Sequence, residues 1–102
     1  MIHVIAVITA RPGQRAPLLE AFRANVPAVH AEAGCIEYAA ALDIDDGPAF
    51  QSRCGPDSFM VIEKWADLDA LKAHAASPHM LAYGARTRDL VAQRVIHILQ
   101  PT

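Results

Sequence analysis

The chain has 102 residues, 53% hydrophobic and 20% charged, with a formal net charge of −2. That length holds one domain that buries only about 60–70% of its unfolded surface, so apolar residues this abundant exclude disorder and point to a partner or a pocket. The nine Lys and Arg residues are scattered without a basic stripe, which argues against nucleic acid, and no apolar run reaches the roughly 18 residues of a membrane span.

Ile2 to Ala10 is β-rich and stops at Arg11-Pro12-Gly13, which predicts a first strand. The segment lacks the basic stretch of a signal peptide, so a cytoplasmic location is expected. From Gln14 to Glu32, Leu18, Phe22, Val26 and Val29 recur at helical spacing. Pro27 falls inside that pattern and predicts a bend, and Gly34 closes the helix. Cys35 to Asp43 reads as a second strand with Ile36, Tyr38, Ala40 and Leu42 on one face.

The turn-rich connection from Ile44 to Asp57 is longer than a hairpin needs, which predicts a flap or a partner-contacting arm. Ser58 to Ala66 is a third strand, with Phe59, Val61, Glu63 and Trp65 on one side and Met60, Ile62 and Lys64 on the other. Asp67 caps a helix carrying Leu68, Leu71 and Ala75, and Ser77-Pro78 restarts it as far as about Leu90. Val91 to Leu99 is the last strand. The order βαββαβ is that of an α+β ferredoxin-like domain over residues 1–102, an antiparallel sheet with helices on one face. Its other sheet face has no cover within the chain, and a second copy would cover it as a twofold homodimer.

The strongest constellation is Glu63, Trp65, His74 and His79. An imidazole can act as a base near neutral pH, with a partly buried carboxylate as its partner. Each residue also has a plainer reading. His74 would be a core-edge histidine satisfied by a carbonyl, and His79 the decoration of a helix start. Glu63 would be an ion-pair partner, and Trp65 a core residue. His74 and His79 are five apart across a helix break, unlike a helical metal pair, so no metal is expected. No flavin, nicotinamide or phosphate fingerprint is present, and no cofactor is expected. Cys35 and Cys54 lack metal-ligand spacing and read as free thiols.

The segments Arg11-Pro-Gly13, Glu32-Ala-Gly-Cys-Ile-Glu-Tyr38, Glu63-Lys-Trp65 and His74-Ala-Ala-Ser77-Pro-His79 resemble, in order and spacing, the antibiotic-biosynthesis-monooxygenase family of quinol monooxygenase-like proteins. The resemblance covers nearly the whole chain. It implies a dimeric α+β barrel with a pocket between sheet and helices in each subunit. Some members oxidise quinols or polycyclic phenols with molecular oxygen and no cofactor, while others degrade haem or isomerise small phosphorylated molecules, so the fold alone does not fix a reaction. Against the haem-degrading pattern, the first-strand asparagine falls on Ala6 and the iron-ligating histidine near Tyr83, and only Trp65 is retained.

The expectation is therefore a cofactor-independent monooxygenase acting on a small aromatic or quinol-like substrate with molecular oxygen. His74 or His79 takes a phenolic proton, Glu63 orients the imidazole, and Trp65, Tyr38, Phe22, Met80 and Tyr83 line the chamber. A non-redox isomerase or lyase of an enolisable metabolite, or a non-catalytic module binding a hydrophobic ligand, are the alternatives.

Overall fold

The computed structural model describes residues 1–102. Strand β1 (Ile2–Ala10) leads through the Pro-Gly turn into helix α1 (Arg15–His30), followed by β2 (Cys35–Ala41) and β3 (Ser58–Trp65). Two short helices, α2 (Leu68–Ala76) and α3 (Pro78–Thr87), and a 3₁₀ turn at Arg88–Leu90 precede β4 (Val91–Leu99). The four strands form one antiparallel sheet in the order β2-β3-β1-β4. This is the expected α+β ferredoxin-like arrangement.

Period-two patterning decides which sheet face is the core. Val4, Ala6, Ile8 and Ala10 of β1 and Phe59, Val61, Glu63 and Trp65 of β3 are all buried toward the helices. Leu18, Leu19, Phe22 and Val29 of α1 pack against them. Helix α1 runs on through Pro27 as one element. The missing N–H there costs a single bond, the one Arg23's carbonyl would have received. Asp67 caps α2 by accepting the Ala70 N–H at 2.8 Å, and Ser77 caps α3 through the Met80 N–H. Pro78 sits at the start of α3, where its lost donor is harmless.

Two local expectations need correction. In β2 the register slips between Cys35 and Glu37: Cys35 lies opposite Trp65, while Glu37 lies opposite Lys64. The extra residue is a β-bulge. It turns Ile36 out to 56% exposure while keeping Tyr38 on the core face, opposite Glu63. In α2 the inward stripe is Ala70, Leu71 and His74, with Leu68 exposed. Residues 44–57 tie back to their own base. The Asp43 carboxylate accepts the Cys54 and Gly55 N–H groups at 2.9 and 3.0 Å, and these bonds hold it below the usual carboxylate range. Gln51 and Arg53 both donate to the Ile44 carbonyl.

The opposite face of the sheet carries Ile5, Val7, Met60, Ile62, Val95 and Leu99, with no helix over it. No helix is long and apolar enough to cross a membrane.

Candidate active site

Between the helices and the core face of the sheet lies a cavity of about 250 Å³. Its floor is Val4, Ala6, Ile8, Val61 and Glu63, and its walls include Phe22, Tyr38, Leu71, His74, Met80 and Tyr83. Arg94 and Ile96 of the edge strand β4 complete it. Such a lining, mostly apolar with a few convergent polar groups, is the usual character of a small-molecule site.

His74 is buried on the last turn of α2. Its ring lies against Trp65, with centroids 4.6 Å apart, and edge-on to Tyr38 at 5.4 Å. Tyr38 in turn stacks on Phe22 at 5.2 Å. The His74 Nδ1 is bonded to Glu32 Oε2 at 2.6 Å. Glu32 sits just beyond the end of α1, where the chain turns at Gly34 toward β2. His79 approaches the same carboxylate at 3.7 Å, with its Nε2 held 3.3 Å from Ser77 Oγ. Ser77 therefore serves three neighbours at once: it caps α3, donates to the His74 carbonyl at 2.8 Å and fixes His79.

Glu63 was expected to orient an imidazole. In the structure it accepts the Trp65 indole N–H at 2.9 Å, and the carboxylate bonded to His74 is Glu32. Burial pushes the Glu63 carboxyl up, opposed by the indole bond and by His74. Burial also drives the Tyr38 phenol far above the ordinary tyrosine range, aided by the neighbouring Glu63, and it raises Tyr83 in the same way. Neither tyrosine hydroxyl is bonded within the chain, yet neither is a buried unsatisfied atom, so both keep hydrogen-bonding capacity for a ligand.

The structure thus gathers Glu63, His74, Tyr38, Phe22, Met80 and Tyr83 around one cavity. It puts Trp65 and His79 one layer behind. Trp65 is fully buried beneath His74, and His79 reaches the same Glu32 oxygen as His74 without lining the cavity. Glu32 and Arg94 were not singled out. Glu32 belongs to the Glu-x-Gly-Cys segment, but nothing local shows that it meets a residue 42 positions later.

Glu32, His74 and His79 also offer three ligand atoms within 4.8 Å of one another. Ligands bound to zinc at about 2.0–2.1 Å stand roughly 3–3.5 Å apart. The wider spread and the short His74–Glu32 bond describe groups sharing a proton more closely than a closed metal cage.

The sequence profile of the family described as "antibiotic biosynthesis monooxygenase" matches residues 1–86, which include every element that shapes the cavity except β4. The chain belongs to this family. Among antibiotic biosynthesis monooxygenases, it is 44% identical to the "Probable quinol monooxygenase YgiN" of Escherichia coli K12, across 99% of this chain and 98% of that one. It also resembles the crystal structure of PA3566 from Pseudomonas aeruginosa, at 32% identity and a TM-score of 0.81, covering 99% and 93% of the two chains. Rv0793 from Mycobacterium tuberculosis superposes with a TM-score of 0.80 at 26% identity, covering 99% and 94%. The family and its curated relative are both monooxygenases by description, and the fold is theirs.

Proposed function

We propose that this chain is a cofactor-independent monooxygenase that oxidises a quinol or related aromatic phenol with molecular oxygen, using His74 as general base. The observation that carries the reading is the 2.6 Å His74–Glu32 bond at the wall of an apolar cavity. With Nδ1 engaged, Nε2 is the ring atom left to take a phenolic proton, and Glu32 stabilises the imidazolium as it forms. Trp65 beneath the ring, and His79 with Ser77 beside Glu32, act as positioning residues. Phe22, Tyr38, Met80 and Tyr83 hold the aromatic ring. Glu63, whose proton affinity is raised by burial, is suited to donate to the second oxygen of a quinol.

Once deprotonated, the electron-rich ring passes an electron to oxygen, and the resulting pair combines as a peroxide at a ring carbon. The O–O bond then breaks. One oxygen stays on carbon and the other leaves as water, so one quinol and one O₂ give one hydroxyquinone and one water. The chain supplies the base, a fixed orientation and a dry chamber.

The uncovered sheet face supports a homodimer as the working form, since Ile5, Val7, Met60 and Ile62 would otherwise meet solvent. Cys35 and Cys54 are free thiols, which suits a reducing, cytoplasmic setting. The 44% identity to a protein described as a quinol monooxygenase supports the substrate class.

The test is turnover of a small hydroquinone panel under ¹⁸O₂, free of metal and flavin, followed by mass spectrometry of the product. One labelled oxygen per product is expected. Unlabelled product, or exchange of a carbon-bound proton with solvent without oxygen uptake, would replace the oxygenase with an oxidase or an isomerase.

A further inference from the structure

Arg94 is the only Lys or Arg on the cavity wall. It lies on β4 opposite Ile8, so its side chain belongs to the face of the sheet that lines the cavity, away from the face proposed to dimerise. β4 is the edge strand, and its cavity residues Arg94 and Ile96 are exposed, which puts the guanidinium where the cavity opens to solvent. It has no carboxylate within ion-pair distance, for none of the four ion pairs involves it. The one carboxyl lining the cavity, Glu63, is engaged with Trp65 instead. A guanidinium with five unspent donors beside an apolar aromatic chamber is a preformed carboxylate receptor.

We propose that Arg94 sets the substrate class: an aromatic phenol or quinol that also carries an acid group, with the hydroxyl at His74 and the anion at Arg94. The cavity size agrees. At about 250 Å³ it falls just below the common range of roughly 300–1,000 Å³ for ligand sites, which fits one or two fused rings and leaves little room for a long apolar tail. Arg94 also bears on Tyr83, whose phenol it pulls down against the effect of burial, consistent with the two groups flanking one bound molecule.

This inference rests on the oxygenase reading only for calling the ligand a substrate, and binding alone tests it. Two phenolic probes, 6-hydroxy-2-naphthoate and 2-naphthol, differ only in the acid group, and oxygen-free buffer keeps both from turning over. Their dissociation constants follow from quenching of Trp65, the single tryptophan, or from calorimetry. The wild-type chain is expected to prefer the carboxylate by roughly tenfold or more, as one charge-assisted contact at a partly exposed site allows. That ratio falls to within about twofold in Arg94→Met and is partly kept in Arg94→Lys, which retains the charge without the fork. Added salt weakens only the naphthoate. Equal binding of both probes, a preference that survives Arg94→Met, or binding of neither probe overturns the assignment. A clear preference without ¹⁸O incorporation from the matching carboxylated hydroquinones would keep Arg94 as the acid-binding group and remove the oxygenase reading instead.

Discussion

Tyr38 and Glu63 face each other across β2 and β3, and both are acids whose burial favours the protonated form. For such a group the folded chain holds its proton to higher pH than the unfolded chain does. Stability is therefore unaffected below the ordinary pKa and falls as pH rises above it. For Tyr38 the fall starts near pH 10.0, with a limiting slope of about 1.4 kcal/mol per pH unit. Tyr38→Phe should flatten that alkaline limb in urea melts between pH 9 and 11, whereas an unchanged slope would mean that Tyr38 titrates normally. For Glu63 the fall begins just above 4.5. Glu63→Gln, which keeps an oxygen acceptor for the Trp65 indole, should remove it.

Glu32 carries a separate prediction. If it supports the imidazolium of His74, Glu32→Gln lowers kcat by about 10²-fold, within the usual worth of acid–base assistance, and leaves KM nearly unchanged. Loss confined to KM would make Glu32 a binding residue. Glu63, Trp65 and His74 were legible in the sequence because strand alternation and helical spacing aim them at one place. Glu32 was not, because its partner lies across the fold and its own position, past a helix end, follows no period.

At the scale of elements, most of the fold was readable because each boundary has a local chemical cause. The Asp67 and Ser77 caps, Pro78, and the glycines at 13 and 34 all sit where those residue types stabilise an end. The β2 bulge was not readable, because Cys-Ile-Glu-Tyr shows acceptable alternation in either register until Trp65 fixes Cys35 opposite it. Likewise, α2 is too short and too rich in alanine for spacing alone to tell that Ala70, and not Leu68, turns inward beside Leu71 and His74.

Gly34 is where the element scale meets the site. It has φ +82°, and a Cβ there would stand 2.6 Å from that of Ala70. Its carbonyl also accepts the Ala66 N–H at 2.8 Å. Gly34→Ala should cost about 2 kcal/mol or more from backbone strain plus overlap. Adding Ala70→Gly should recover only the overlap. Full rescue by the second change would place the whole cost in the contact and none in the left-handed backbone.

For the whole molecule, the apolar content noticed at the outset divides between two destinations. One is the layer between helices and sheet, where the cavity lies. The other is the open sheet face, whose centre is Ile5, Val7, Met60 and Ile62 and whose rim carries the Lys64–Glu37 pair at 3.1 Å. A dry centre with a charged rim is how subunit interfaces are commonly built. Sedimentation at micromolar concentration should give the mass of two 11.0 kDa chains, and Ile62→Glu should give one. A wild-type monomer would leave that face without its proposed cover.

The most direct test of the proposed chemistry is oxygen uptake by the wild type and by His74→Ala with a hydroquinone panel, in metal-free and flavin-free buffer. The proposed mechanism predicts saturable uptake in the wild type, reduced by at least about 10²-fold in the variant. No uptake above the uncatalysed background, or equal uptake by both proteins, would contradict a cofactor-free oxygenase with His74 as its base.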